Sequence, residues 1–368
     1  MKLKIGYVSP DFHTHSVAYF AEPLLKSHNR DEFELYAYYN NSKSDETNNR
    51  LQTYFDHWQN VAGMPDDALA DKIYADQIDI LVDLAGHSAN NRLGVLAQKP
   101  APVQATWLGY PNTSGLSTVD YRITDAIADP QGESDRLNTE HLIRLENGFL
   151  CYQGDQNLPV FEEIPYDRNG YITFGSFNNY VKVTNEVINL WAKILLAVPY
   201  SKLLLKSEQF SDQGMRARCL SLFSQQGISA DRLILQGMLA KVSEHMAFYA
   251  EVDLALDPFP YNGTTTTFEA LWMGVPTVTY SGKVHASRVG ASILSRIDLH
   301  DYISYSPEEY LEIAKSKAEA HDSLRELRRG LRKRMLESSL CDGNNFARQI
   351  EKAYQFMWQN YCRKDGKI

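Results

Sequence analysis

The sequence predicts an α/β protein of two doubly wound, Rossmann-like domains. Three observations carry that prediction. Short apolar runs of strand length alternate with segments long enough for crossover helices, through the first half and again through the second. The 368 residues are enough for roughly two domains of ordinary size. Composition is that of a globular chain, with 43% hydrophobic and 23% charged residues.

In the first half, Ile5 to Ser9, Phe33 to Tyr39, Ile78 to Leu84 and Val103 to Leu108 read as strands. In the second half the strands are Tyr171 to Phe177, Lys202 to Leu205, Leu233 to Leu235, Val252 to Leu256 and Thr277 to Tyr280. Gly154, Pro159, Pro165 and Gly170 interrupt any pattern between them, so a boundary falls in Tyr152 to Asn169. We set the domains at 1–155 and 156–345. Ser306 to Leu336 reads as helices, with Pro307 at a first helical position. Arg325, Arg328, Arg329, Arg332 and Arg334 flank a leucine stripe there, a pattern that predicts a solvated face. From 346 to 368 a last helix carries Phe346, Ile350, Tyr354, Met357 and Trp358 on one stripe, which needs a surface to cover it on the first domain or the second.

A net charge of −9 and the lack of a basic tract disfavour nucleic acid as a partner. Cys151, Cys219, Cys341 and Cys362 form no Cys-x-x-Cys pair, so reduced thiols and no zinc site are expected. No 18-residue apolar run is present and the chain opens directly on a strand pattern, so the expectation is a cytoplasmic protein that does not engage a membrane. Neither the Gly-x-Gly dinucleotide fingerprint nor a Gly-x4-Gly-Lys-Ser/Thr loop occurs, which disfavours hydride transfer and P-loop phosphoryl transfer. Asp-x-Asp is absent too, and with it the usual carboxylate pair for a metal on a nucleotide diphosphate.

The most informative stretch is Val252 to Met273. A buried strand leads through Pro258, Pro260 and Asn262-Gly263 into four consecutive threonines and an apolar helix. Only one threonine can be the N-cap. The others suit a phosphate or diphosphate seated on the helix end, with Glu269 in the first turn within reach of a ribose. The competing reading is a crowded loop filled with β-branched residues. Lys182 on a loop is either a surface lysine or the cation for that diphosphate, and His15 and His87, each after a strand end, are either structural or sugar-binding.

Ile80-Leu-Val-Asp-Leu-Ala-Gly-His87, Pro100-Ala-Pro-Val-Gln104, Trp107-Leu-Gly-Tyr-Pro111, Asp120-Tyr-Arg-Ile-Thr-Asp125, Phe174-Gly-Ser-Phe-Asn-Asn179 and Tyr261 to Gly274 together resemble the catalytic region of protein O-GlcNAc transferases, most of all the SPINDLY-type branch. The resemblance implies the glycosyltransferase B fold, two Rossmann-like domains facing across a cleft. It also implies metal-independent, cofactor-free transfer with inversion, from UDP-GlcNAc to Ser or Thr hydroxyls of a polypeptide. By the same resemblance Lys182 neutralises the leaving diphosphate and Thr265 and Thr266 hold its phosphates. Glu269 binds the ribose, Lys241 and His245 contact the nucleoside, backbone near Leu239 reads the base, and Asn179 lies near the diphosphate. His15 falls near the sugar and acceptor, and Asp76 matches an aspartate suggested for proton transfer. Thr264 and His87 stand where the animal enzymes have a histidine and a tyrosine. These departures follow the SPINDLY-type pattern, whose plant members resemble O-fucosyltransferases, so GDP-fucose is the rival donor. A nucleotide-sugar-binding module without catalysis is the rival from another class. Tetratricopeptide repeats, which precede this region in the family, are absent from the sequence, which leaves acceptor choice to the cleft or to a repeat-containing partner.

Overall fold

A computed structural model describes residues 2–364 and 366. The chain divides into two units, one running to Gln153 and resuming at Ser339, the other comprising Gly154–Ser338. The second unit ends at Ser338, where the sequence reading set 345, and the last helix, Gly343–Lys364, belongs to the first unit.

The first unit holds β1 (Leu3–Ser9), β2 (Phe33–Tyr39), β3 (His57–Asn60), β4 (Ile80–Asp83), β5 (Val103–Thr106), β6 (Tyr121–Asp125) and β7 (His141–Leu145), in the order β3-β2-β1-β4-β5-β6-β7. Every pairing is parallel, with Ile5 opposite Leu35 on one side and Ile80 on the other. Three of these strands are additions to the sequence reading. β3 is a polar edge strand, and β6 is buried throughout although it carries Arg122 and Asp125. Arg122 is neutralised internally by Asp129 at 2.9 Å, which lets a charged residue sit in a buried strand. In β7, Arg144 reaches the Asp129 carbonyl at 2.7 Å and Asp135 at 2.9 Å.

Between the layers, Val8, Tyr38, Leu69, Ile73, Leu81, Val95 and Leu96 form a continuous core. The final helix, Gly343–Lys364, packs on the helix Ser16–Ser27 and buries Phe346, Ile350, Tyr354 and Met357, with Trp358 partly exposed. It is pinned by a buried polar chain. Tyr354 and Tyr7 hydroxyls lie 3.0 Å apart, Tyr7 meets His28 Nε2 at 2.8 Å, and His28 Nδ1 meets Glu351 at 3.1 Å.

The second unit repeats the plan with β8 (Thr173–Ser176), β9 (Lys202–Lys206), β10 (Leu233–Gln236), β11 (Leu254–Leu256), β12 (Thr277–Tyr280) and β13 (Ile303–Ser304), all parallel in the order β10-β9-β8-β11-β12-β13. The helices Pro307–Glu319 and His321–Leu336 cover it. The expectation of a solvated arginine face fails for two of the five arginines. Arg328 is 1% and Arg332 8% exposed, and their guanidinium groups donate to the carbonyls of Met273 and Trp272. Those carbonyls end the helix Thr265–Trp272 and have no acceptor role within it, so a buried cation is the donor they need.

Candidate functional site

In a doubly wound sheet, ligands collect beyond the carboxyl ends of the strands at the point where strand order reverses. In the second unit that point lies between β8 and β11, where Phe174 pairs with Leu254. The loop after β8 delivers Asn178, Asn179 and Lys182, and the loop after β11 delivers the four threonines.

The helix after β11 starts at Thr265, so Glu269 falls past the first turn, a correction of one turn to the sequence reading. Thr264 occupies the N-cap without bonding through its hydroxyl. The N–H groups of Thr267 and Phe268 both reach the Thr264 carbonyl at 3.1 Å, which leaves those of Thr265 and Thr266 at the open helix end. Thr266 Oγ1 donates to Asn178 Oδ1 at 3.0 Å and ties the two loops together. Gly263 is required just before the helix, because a Cβ there would lie 2.5 Å from Thr266 Oγ1.

Lys182 is brought to this helix end. Its Nζ donates to the Asn262 carbonyl at 2.9 Å and sits 3.8 Å from the Tyr261 ring centroid. Burial lowers its pKa to about 8, and Asp257 opposes the shift. A half-buried lysine on the loop after β8, bonded to the segment that opens into a helix N-terminus, has the chemistry to receive an anion.

Glu269 is 8% exposed and accepts from His245 Nε2 at 2.9 Å and from the Tyr249 hydroxyl at 3.4 Å. The structure therefore joins Glu269 and His245 into one cluster, backed by Phe177, whose ring centroid lies 4.2 Å from that of Tyr249. Lys241 is exposed at the N-cap of the helix Val242–Ala247, and Leu239 is partly exposed on the loop before it. Asn179 uses its side-chain oxygen to accept from Val181 N–H at 3.1 Å and Gln209 Nε2 at 3.0 Å.

Two residues here escaped the sequence reading. Lys206 ends β9, half-buried, with its ammonium 5.8 Å from the Phe177 centroid; burial lowers its pKa and Glu269 raises it. Asp257 follows β11, 1% exposed, and accepts from Gly263 N–H at 2.6 Å and Thr279 Oγ1 at 2.7 Å. The available signal was a charged residue closing each apolar run, Lys202-Leu-Leu-Leu-Lys206 and Leu254-Ala-Leu-Asp257.

In the first unit, His15 is the N-cap of the helix Ser16–Ser27. Its Nδ1 accepts from Val17 N–H at 3.2 Å, so the neutral ring carries its proton on Nε2 and presents a donor. Burial lowers the His15 pKa, with Asp11, 3.7 Å away, opposing. His87 donates through Nε2 to the Ser114 carbonyl at 2.8 Å and braces the loop after β5. Asp76 ends the helix that feeds the start of β4, at the amino ends of the strands, whereas His15 follows the carboxyl end of β1; the Asp76 carboxylate accepts from Tyr38 at 2.8 Å and Lys72 at 3.2 Å. Among the described residues, no group of three or more His, Cys, Asp or Glu is gathered as metal ligands, and no helix is long and apolar enough to cross a membrane.

Comparison with known proteins places the chain in a family and supports the fold. The profile of glycosyl transferase family 41 matches residues 1–165 and 162–350. "Probable UDP-N-acetylglucosamine--peptide N-acetylglucosaminyltransferase SPINDLY" of Solanum lycopersicum is 44% identical over 370 residues, covering 100% of this chain and 39% of that protein. The chain thus spans about two fifths of the length of the curated relatives it matches. Among solved structures, a variant of Thermobaculum terrenum O-GlcNAc transferase superposes with a TM-score of 0.94 at 38% identity, over 99% of this chain and 69% of that one. Anabaena HepE in complex with UDP matches at 12% identity and a TM-score of 0.59, over 96% of this chain and 100% of that one, a likeness of fold alone.

Proposed function

We propose, from the premise that this chain belongs to glycosyl transferase family 41, that it moves N-acetylglucosamine from UDP-GlcNAc to Ser or Thr hydroxyls of a polypeptide. In this reading the transfer inverts configuration: the hydroxyl oxygen bonds to the anomeric carbon as the bond to the diphosphate oxygen breaks, the bonding pair leaves with UDP, and the hydroxyl proton passes to the leaving diphosphate or to water. The carrying observation is Lys182, whose Nζ lies 2.9 Å from the Asn262 carbonyl beside the open helix end of Thr265 and Thr266. A diphosphate seated there would meet an ammonium, two helix N–H groups and threonine hydroxyls, so its growing charge is answered by protein groups without a metal ion. Glu269, oriented by His245, takes the ribose, and the loop from Leu239 to Lys241 takes the base. His15 acts as a hydrogen-bond donor through Nε2 to sugar or acceptor, in place of the base role its position alone would allow. The acceptor is a polypeptide, as in the name of the tomato relative, with a repeat-bearing segment or partner recruiting it. Four free cysteines, three of them buried, support a reducing, cytoplasmic setting.

The test is calorimetric titration with UDP, GDP, UDP-GlcNAc and GDP-fucose in EDTA. Tight uridine binding with weak guanosine binding supports the reading. Guanosine preference replaces the donor with GDP-fucose, and loss of binding on chelation refutes metal independence. Lys182→Ala is expected to retain donor binding and lose about 10²–10³ in kcat; near-parent turnover would refute the role of Lys182.

A further inference from the structure

We infer that Asp257 is a positioning residue for Lys182: the carboxylate and the ammonium hold opposite sides of the single peptide group joining Asn262 to Gly263, and the carboxylate keeps the lysine charged and aimed until a diphosphate replaces the carbonyl. This rests on the reading of Lys182 as the leaving-group cation.

The peptide between Asn262 and Gly263 offers one carbonyl and one N–H, pointing in opposite directions. Lys182 Nζ donates to the carbonyl at 2.9 Å, and Asp257 Oδ1 accepts from the N–H at 2.6 Å. The result is a chain of two charge-assisted hydrogen bonds through one amide, in which each bond polarises the other. The amide is prevented from turning. Asn262 N–H donates to the Ala286 carbonyl at 2.8 Å, and Asn262 Nδ2 donates to the Pro258 carbonyl at 3.0 Å. Gly290 N–H reaches Asn262 Oδ1 at 3.3 Å.

Asp257 is equally confined. Thr279 of β12 donates to Oδ2, the Tyr310 hydroxyl donates to its carbonyl at 3.0 Å, and a Cβ on Gly290 would lie 2.7 Å from Oδ2. Among the described residues, Lys182 is the charged side chain that acts on Asp257, and Asp257 the one that acts on Lys182. Burial raises the Asp257 pKa to about 7 and lowers that of Lys182 to about 8, and each group draws the other back toward its charged form. When an anion arrives, Lys182 turns from a neutral carbonyl to a phosphate oxygen, and Asp257, which the lysine held toward its charged form, is drawn toward protonation behind the amide.

The test is the pH profile of kcat/KM for Asp257→Asn, which still accepts from Gly263 and partners Thr279 but carries no charge. The basic limb is expected to move down by about one unit, so transfer falls about tenfold at about pH 9 and about twofold at about pH 7. Lys182→Arg, whose guanidinium stays charged, is expected to lose the limb. A limb that coincides in the parent and Asp257→Asn while Lys182→Arg abolishes it overturns the inference and leaves the role of Lys182 intact. A limb that persists in Lys182→Arg overturns the reading on which the inference rests. Should Asp257→Asn fail to fold, calorimetry of Lys182→Arg with UDP-GlcNAc in two buffers of different ionisation enthalpy decides. Proton uptake near neutral pH reports Asp257 responding to the anion, and no uptake overturns the inference.

Discussion

Gly263→Ala tests whether the threonine helix end is the donor seat. A Cβ at position 263 would lie 2.5 Å from Thr266 Oγ1 and 2.9 Å from both Asn178 Oδ1 and Thr267 Oγ1. None of these atoms is the free end of a flexible chain: Thr266 is bonded to Asn178, and Thr267 is 2% exposed. Relief requires the helix end and the loop after β8 to part by roughly half an ångström to one ångström. Overpacking of this kind costs about 1–3 kcal/mol, and a lost hydrogen bond between Thr266 and Asn178 adds about 1 kcal/mol. A loss of about 2–3 kcal/mol in stability is therefore expected. Donor affinity should fall at least about tenfold, since 1.4 kcal/mol is enough for that factor. Thermal melts and calorimetric titration with UDP-GlcNAc measure the two effects. The control is Gly227→Ala, at φ +81° with nothing within 4 Å of the new Cβ, where the backbone is strained but the seat is untouched. If Gly263→Ala binds donor as the parent does, the diphosphate does not sit on this helix end.

Arg328→Met should cost about 3–5 kcal/mol, because it strips the carbonyls of Tyr249, Val252 and Met273 of a buried donor; exposed Arg329→Met should stay within about 0.5 kcal/mol, and denaturant melts separate the two. For His28, burial lowers the pKa against the opposing pull of Glu351. The unfolded chain then binds the proton more readily, so the His28 contribution is present at neutral pH and is lost as pH falls below about 6.5. The stability gap between the parent and His28→Gln should narrow on acidification, and a gap that widens would refute the assignment.

The alternation of strands and helices was legible because each strand is a short apolar run with room for a crossover after it. β3 and β6 were not, and for different reasons. An edge strand such as His57–Asn60 has few positions to bury and so no apolar signature. In β6, the pairing of Arg122 with Asp129 hides a buried strand behind charged letters. The threonine loop announced itself by composition, whereas Lys182 was singled out by the family resemblance alone, because its contact with the Asn262 carbonyl, 80 residues away, leaves no trace in local sequence. Periodicity misread Arg328 and Arg332 because it reports which residues share a face and is silent about the carbonyls that face meets. The capping role of His15 was equally hidden, since a histidine before a helix has the same letter whichever ring nitrogen the backbone occupies.

The two units show how one local arrangement yields two outcomes. Each has a strand across the reversal point that leads to a buried aspartate, Asp83 as the last residue of β4 and Asp257 just after β11. Each aspartate accepts a threonine hydroxyl from the next strand, Thr106 at 2.9 Å and Thr279 at 2.7 Å. The difference lies in the loop. Asp83 accepts from the N–H of Gly86, three residues on, at 2.7 Å, and the turn closes at once, with no space at Gly86 for a Cβ beside Tyr110. Asp257 accepts from Gly263, six residues on, and the added length carries the Asn262 carbonyl out to Lys182 and opens directly into the threonine helix. The imidazole that faces Asp83 is His87, whose Nε2 is already committed to the Ser114 carbonyl, whereas Lys182 donates to a carbonyl that an anion can displace. A short turn after the aspartate makes a brace, and a long one makes a seat for an anion. In the proposed reading the leaving-group chemistry falls to the second unit, through the three residues by which its loop from aspartate to glycine exceeds that of the first.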